Sequence, residues 1–386
     1  MYRQLLTLVC CVLPCLTLPS AGAASERDTE RVEALSRLMA AAAARTEPSL
    51  RHEDSGSLVR RDGNAGWVIE LGRDLLAPYN GTQIPAELDE RLQAIRLALM
   101  LRDEQRGGGG TIAFRFGGEP LEALFAEPAA TSRSAARTGG VDVFVAASHG
   151  YYLHHGFGDW RLQRPYVNGM VEDLLTPVFA DALARQLALQ GRTSLLARST
   201  HLEVHPGSGQ PWWQMASRYH AQALYPQRPE IWQSYADRTS PLRDYNDDIR
   251  SRPLLANAHG ARALIHLHTN AAASADARGM MAFVQPGRAE DRCLGHVLLC
   301  AVRAGLQATQ AYASYRVRVV PMEGNYGENR LAAAPSVLLE MGFHTNVDDA
   351  RALQDPVFQA AVASALAQGH VAFLAGAGAD GEAVCE

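Results

Sequence analysis

Val141-Asp-Val-Phe-Val-Ala-Ala-Ser148 runs directly into His149-Gly150, Ala263-Leu-Ile-His-Leu267 into His268-Thr-Asn270, and Pro335-Ser-Val-Leu-Leu339 into Glu340-Met-Gly-Phe343. Short β-branched and aliphatic runs of this kind predict buried strands of an α/β sheet, in which ligands lie just beyond the carboxyl ends of the strands. Two imidazoles and a carboxylate are thereby expected at one edge. A further carboxylate, Glu172, opens the amphipathic helix predicted after the first strand. Two His, one Glu and a second Glu held free are the inventory of a hydrolytic zinc site: three protein ligands, an open water position and a general base.

Outward from these runs, strands predicted over 141–148, 193–198, 262–268, 279–284, 316–320 and 335–340 alternate with helices over about 169–190, 252–260, 291–309 and 355–374. Such alternation predicts a three-layer α/β domain over 141–376, with a twisted, mostly parallel or mixed sheet flanked by helices. One segment, 199–251, interrupts it and holds Trp212, Trp213 and Trp232 with Tyr219, Tyr225 and Tyr235. An insertion of this length is either an extra helical layer with its own aromatic core or a wall of flat rings against which a sugar can stack. Before the domain, Gly66–Leu71 and Thr111–Phe116 read as strands around a helical 85–100, a small βαβ unit within 59–126. The small polar stretch 127–140 reads as a linker, 24–58 as a tether and 377–386 as a tail.

With 386 residues and 47% hydrophobic content, a substantial core is expected. The net charge of −5, without any basic stripe interleaved with aromatics, argues against nucleic acid as a partner. All basic residues are Arg, which carries no chemical implication. Arg3 precedes the apolar stretch Leu5 to Leu18, and Ala21-Gly22-Ala23 has the small-x-small pattern of a cleavage site. Residues 1–23 are therefore expected to be a signal peptide and the protein to be exported, to the periplasm or cell envelope. Cleavage leaves Cys293, Cys300 and Cys385; the first two sit two helical turns apart, about 10 Å along the axis, too far to pair. Cys385 can pair with either, and the simplest expectation is two inert thiols and a loose one in the tail.

The block Leu331-Ala-Ala-Ala-Pro-Ser-Val-Leu-Leu-Glu-Met-Gly-Phe-His-Thr-Asn346 resembles the signature of the zinc N-acetylmuramoyl-L-alanine amidases, the cell-wall amidases of the AmiA, AmiB and AmiC type. Ile265-His-Leu-His-Thr-Asn270 is similar to the strand end of that family, Arg252 with Ala256-Asn257 to the residues preceding it, and Gly169-Met-Val-Glu-Asp-Leu-Leu175 to its ligand-bearing helix start. The resemblance covers about 141–374. It implies that His149, Glu172 and His268 bind zinc, that Glu340 is the catalytic carboxylate, and that the substrate is peptidoglycan, cut between N-acetylmuramic acid and L-alanine.

Two departures stand out. The family's Asp-x-Gly-His-Gly-Gly reads Ala146-Ala147-Ser148-His149-Gly150-Tyr151 here, and the spacing from His149 to Glu172 is longer than usual. A metal-bound His needs a partner on its other nitrogen, and the missing aspartate leaves that of His149 unassigned; His154 and His155 are candidates for ligand or proton donor. His266 and His268 are expected on opposite faces of their strand, with Thr269-Asn270 selecting His268 for the site. Residues 59–126, with Phe116-Gly-Gly-Glu-Pro-Leu121, resemble the small module of the GerM spore-germination proteins. A monomer is expected, with an activator protein as a possible partner. Two rival readings stay open: another exported zinc carboxypeptidase or N-acyl amino acid hydrolase, and a non-catalytic wall-binding protein with a decayed site.

Overall fold

The computed structural model describes residues 26–43, 49–51, 58–62, 66–77, 79, 81–105, 111–125, 127, 140–378 and 385. The expected signal peptide, nearly all of the linker and most of the tail lie outside the described residues. The amino-terminal part consists of α1 (Glu26–Ala43), β1 (Ser49–Arg51), β2 (Leu58–Asp62), β3 (Gly66–Leu71), α2 (Ala86–Gln105), β4 (Thr111–Phe116), β5 (Glu119–Pro120) and α3 (Leu121–Leu124). Its sheet has the order β1-β2-β3-β4-β5, and β3 and β4 run parallel around α2, which is the βαβ unit read from the sequence. The segment read as a tether instead carries α1, whose Val32, Leu35 and Met39 are buried in the same core as α2. An i, i+3, i+7 spacing puts these three on one helical face.

The larger part begins with β6 (Val143–Ala147), the hairpin β7 (Tyr152–His154) and β8 (Asp159–Arg161), α4 (Glu172–Leu189) and β9 (Ser194–Leu196). Next come α5 (Ser217–Leu224), α6 (Pro229–Trp232), α7 (Arg243–Ala258), β10 (Leu264–Asn270), β11 (Met281–Val284) and α8 (Ala289–Gln307). It ends with β12 (Met322–Glu323), α9 (Gly327–Arg330), β13 (Ser336–Phe343), α10 (Val347–Gln354) and α11 (Pro356–Leu374). The six-stranded sheet has the order β12-β11-β13-β10-β6-β9. Its centre is parallel, and only the β11–β13 contact is antiparallel, so the sheet is mixed as expected.

Strand alternation sorts the core into layers. Val143, Val145, Ile265, Leu267, Val337 and Leu339 face α4, α8, α10 and α11. Phe144, Ala146 and Leu264 point the other way, onto α5, α6 and α7. Leu338, Met281 and Phe283, on that second face, are covered by the amino-terminal part: they share a core with Trp67, Ile69, Leu92 and Phe116. Both faces of the sheet are thereby buried, which is why the strands read as continuous apolar runs.

Three expectations are corrected. The strand read at 316–320 does not form; Val317 makes a single bridge to Met280, Arg318 pairs with Glu104 of α2, and the edge strand of the sheet is β12. The helix read from 252 starts at Arg243, and Pro253 sits inside α7, held there by a face buried from Tyr245 to Ala256. Cys385 is not a loose thiol but is disulfide-bonded to Cys300, tying the tail to α8 across 85 residues, while Cys293 stays free.

Candidate metal centre

β6 ends at Ala147, and the chain then turns sharply at His149 (φ 65°) and Gly150 (φ 121°). The turn is fixed by Asp173 in the first turn of α4, whose Oδ1 accepts the Gly150 N–H at 2.9 Å. Glu172, one residue earlier, enters the same space, where Ser148 Oγ and the Thr269 N–H donate to its Oε1 at 2.9 and 3.0 Å. His268 lies within β10, directly paired with Glu340 of β13, and both strands run on past these residues.

These placements bring His149, Glu172 and His268 together, with one ligand atom from each within 4.8 Å of the others. Glu172 Oε1 is 3.4 Å from His149 Nε2 and 3.1 Å from His268 Nδ1. The imidazoles stand edge to face, their centroids 5.1 Å apart. All are nearly sealed from solvent: 2% of His149, 3% of Glu172, 7% of His268 and 8% of Glu340 is exposed.

The electrostatics call for a cation. Burial works against the charge on Glu172, but His149 and His268 beside it hold its carboxyl well below the usual carboxylate range. Burial also opposes the charge on His268, yet Glu328 and Glu172 outweigh it and raise its pKa to about 10. A proton there balances carboxylates that a metal ion would balance better. Glu340 behaves oppositely: burial, reinforced by Glu172 and Glu328, pushes its pKa up to about 8. His149 Nε2 and Glu340 Oε2 are buried without any hydrogen-bond partner. Unpartnered buried polar atoms are costly, and here they face a set of two nitrogens and one carboxylate oxygen that suits zinc. The residues present therefore fit the ion.

Several expectations about neighbouring residues change. Residues two apart share a strand face, so His266 and His268 point the same way, with His266 one pleat deeper and 3.7 Å from Glu328. His154 packs on Phe157 with ring centroids 4.4 Å apart, and His155 bonds Asp244 at 2.8 Å; neither joins the cluster. The extra length between His149 and Glu172 is the β7–β8 hairpin, which returns the chain to Gln163, whose Oε1 lies 2.8 Å from His149 Nδ1. The 199–251 segment carries α5, α6 and the start of α7, with Trp232 buried, Trp212 and Trp213 half-buried, and Trp212 packed on His205 with ring centroids 4.7 Å apart.

Sequence reading missed Gln163, Arg164, Glu328 and His344. Arg164 Nε is 3.7 Å from Glu172 Oε2, and its Nη2 reaches Glu90 of α2 at 2.7 Å. Glu328 bonds His268 Nε2 at 3.0 Å. His344 Nδ1 meets Thr269 Oγ1 at 2.9 Å, two bonds from Glu172.

The family profile described as N-acetylmuramoyl-L-alanine amidase matches residues 143–370. No curated protein matches the chain in sequence. Among solved structures, the CwlD amidase from Clostridioides difficile, in complex with the GerS lipoprotein, is similar at 15% identity and TM-score 0.41, over 61% of this chain and 98% of its own. AmiC2 of Nostoc punctiforme is similar at 17% identity and TM-score 0.40, over 62% and 99%. The catalytic domain of CwlV, from Bacillus (Paenibacillus) polymyxa, is similar at 16% identity and TM-score 0.39, over 60% and 97%. Since the profile runs from the first strand of the large sheet into its last helix, well over half of the chain, the protein belongs to the N-acetylmuramoyl-L-alanine amidase family, enzymes that hydrolyse peptidoglycan.

Proposed function

We propose that this amidase is an exported, zinc-dependent enzyme in which His149, Glu172 and His268 hold the ion and Glu340 transfers the protons of amide hydrolysis. The carrying observation is the buried cluster of those three side chains with Glu340 paired beside His268. In this reading residues 1–23 direct export to the periplasm or cell envelope, and the amino-terminal part before residue 127 is an accessory to the domain that follows.

When bound, zinc supplies the positive charge that polarises the scissile carbonyl and acidifies water. The protein's own groups do the rest. Glu340, beside His268, is placed to take the proton of the attacking water and to pass it to the departing amine of L-alanine. Its raised affinity for a proton suits the second half of that task, and positive charge in the site eases the first. Arg164 stands over Glu172 and limits how far that carboxylate can swing. Because these side chains are buried, each of these interactions acts with reduced solvent screening.

The test uses the full chain on intact sacculi, with product mass spectrometry and metal analysis. His268→Ala is expected to lose both zinc and activity, because two remaining ligands cannot hold the ion in an open site. Glu340→Gln is expected to keep zinc and fold while losing about two to four orders of magnitude in turnover. Full zinc in the first variant, or wild-type turnover in the second, refutes the assignment.

A further inference from the structure

Each histidine of the cluster is also bonded through the ring nitrogen that points away from it, and both bonds belong to one buried chain. From His149 Nδ1 the path runs 2.8 Å to Gln163 Oε1, and Gln163 Nε2 donates to Asp248 Oδ2 at 2.9 Å. Arg252 donates through Nη2 to the same Asp248 oxygen and through Nη1 to Glu328 Oε1. Glu328 Oε2 then lies 3.0 Å from His268 Nε2. Arg252 and Asp248 are fully buried, and Gln163 and Glu328 are each 4% exposed.

The chemistry of the links fixes their direction. A carboxylate only accepts, so Asp248 must face the amide N–H of Gln163, which turns the amide oxygen to His149. An amide oxygen also only accepts, so His149 carries its proton on Nδ1 and leaves Nε2 with a lone pair. That nitrogen is the one buried in the cluster without a partner. At the other end Glu328, which accepts from Arg252 through one oxygen, accepts from His268 Nε2–H through the other. His268 Nδ1, 3.1 Å from Glu172, is left to face the ion. Ala146, which stands where the family pattern has an aspartate, packs into the core and offers no acceptor.

We infer that Gln163, Asp248, Arg252 and Glu328 are positioning residues that form a single relay setting the tautomers of both histidines, so that His149 offers Nε2 and His268 offers Nδ1. The inference rests on the ligand assignment proposed above. Gln163 supplies what the missing aspartate would. Its backbone is held for the purpose, since Asp173 Oδ1 accepts the N–H groups of both Gly150 and Gln163, at 2.9 and 2.7 Å. Arg252 is the one cation of the relay and joins its two halves.

Removing Arg252 would strand two buried carboxylates and endanger the fold, so the test acts on the ends of the relay. Full-length Gln163→Leu, Glu328→Gln and the double variant are titrated with Zn2+ against a chromophoric chelator, and their Co2+ forms are compared by visible absorption. Each single variant is expected to bind Zn2+ roughly 10- to 100-fold more weakly and to show altered Co2+ bands, with the metal-free protein folded. Breaking either end loosens the whole relay, so the double variant is expected to lose clearly less than the product of the single losses. Wild-type affinity and Co2+ bands in Gln163→Leu, a neutral change that leaves every ion pair of the relay in place, overturn the inference. So does a double loss equal to the product, which would mean two independent supports. His268→Ala separates the levels: if it still binds Zn2+ as wild type, the ligand assignment fails, whereas loss there beside unaffected relay variants overturns the relay alone.

Discussion

His149 carries a side chain at φ 65°, in the left-handed region that costs a non-glycine residue energy, and Gly150 follows at φ 121°. The pair turns the chain so abruptly that a Cβ on Gly150 would sit 2.8 Å from the Ala216 nitrogen and 2.9 Å from the Gln214 oxygen, both backbone atoms. Neither atom can yield without breaking the hydrogen bonds that join Tyr151 to Gln214 and Ala216. Gly150→Ala is therefore expected to destabilise the fold by at least about 1–3 kcal/mol and to weaken zinc binding by tilting His149. Urea denaturation of the metal-free variant checks the first part, and an unchanged midpoint would count against the strained turn. Of the candidate site residues, His149, His268 and Glu340 were legible because each ends or interrupts an apolar run, and Glu172 because it opens the helix that follows the first of those runs. Gln163 and Glu328 were not, since one lies in a loop and the other in a single helical turn, without any periodicity to mark them.

At the scale of elements, α8 shows how burial of a single carboxyl couples an element to pH. Asp291, in the first turn of α8, accepts the Ser336 N–H at the start of β13. Burial raises its pKa to about 7, only partly offset by Arg288. The folded state thus holds a proton that the unfolded chain releases at its ordinary value of 3.8. With the folded pKa above the unfolded one, this contribution to stability is full below about pH 4 and is lost as pH rises through 7. Asp291→Asn keeps the acceptor for Ser336 and removes the ionisation. Its melting temperature is expected to gain on the wild type as pH rises from about 4 to 7 and to keep that gain above it, and parallel curves between pH 4 and 7 would exclude this origin. The reading of α7 failed at the same scale for a related reason: its polar residues Asp248 and Arg252 are buried in the relay, so its amphipathic pattern does not look like one.

For the molecule as a whole, the amino-terminal part and the catalytic sheet are one packing unit. Met281, Phe283, Met322, Leu338 and Phe343 are covered by the core that contains α2. The polar contacts converge on the site as well: Asp89 accepts the Gly327 N–H at 3.1 Å, at the start of the helical turn that carries Glu328, and Glu90 holds Arg164. A chain beginning at residue 140 is expected to expose those five apolar side chains and to release the support of Glu328. It should aggregate or melt at lower temperature than the full chain, and any soluble fraction should bind zinc more weakly. Size-exclusion chromatography and melting curves decide the matter. A monodisperse 140–386 fragment as stable as the full chain would show the amino-terminal part to be dispensable.

The sequence by itself determined the α/β alternation, the strands β6, β10 and β13, and the candidate residues His149, His268 and Glu340 on them, because buried parallel strands are continuous apolar runs and a polar residue breaking such a run needs a reason to be there. It also carried the amidase resemblance, in the block around Glu340. Only the tertiary structure decided which groups surround these residues and Glu172. That Gln163 stands in for an absent aspartate, and that Arg252 joins the two histidines, depend on contacts between residues as many as 85 positions apart. Such contacts are set by how helices and loops settle on the sheet, not by the local pattern of any one segment.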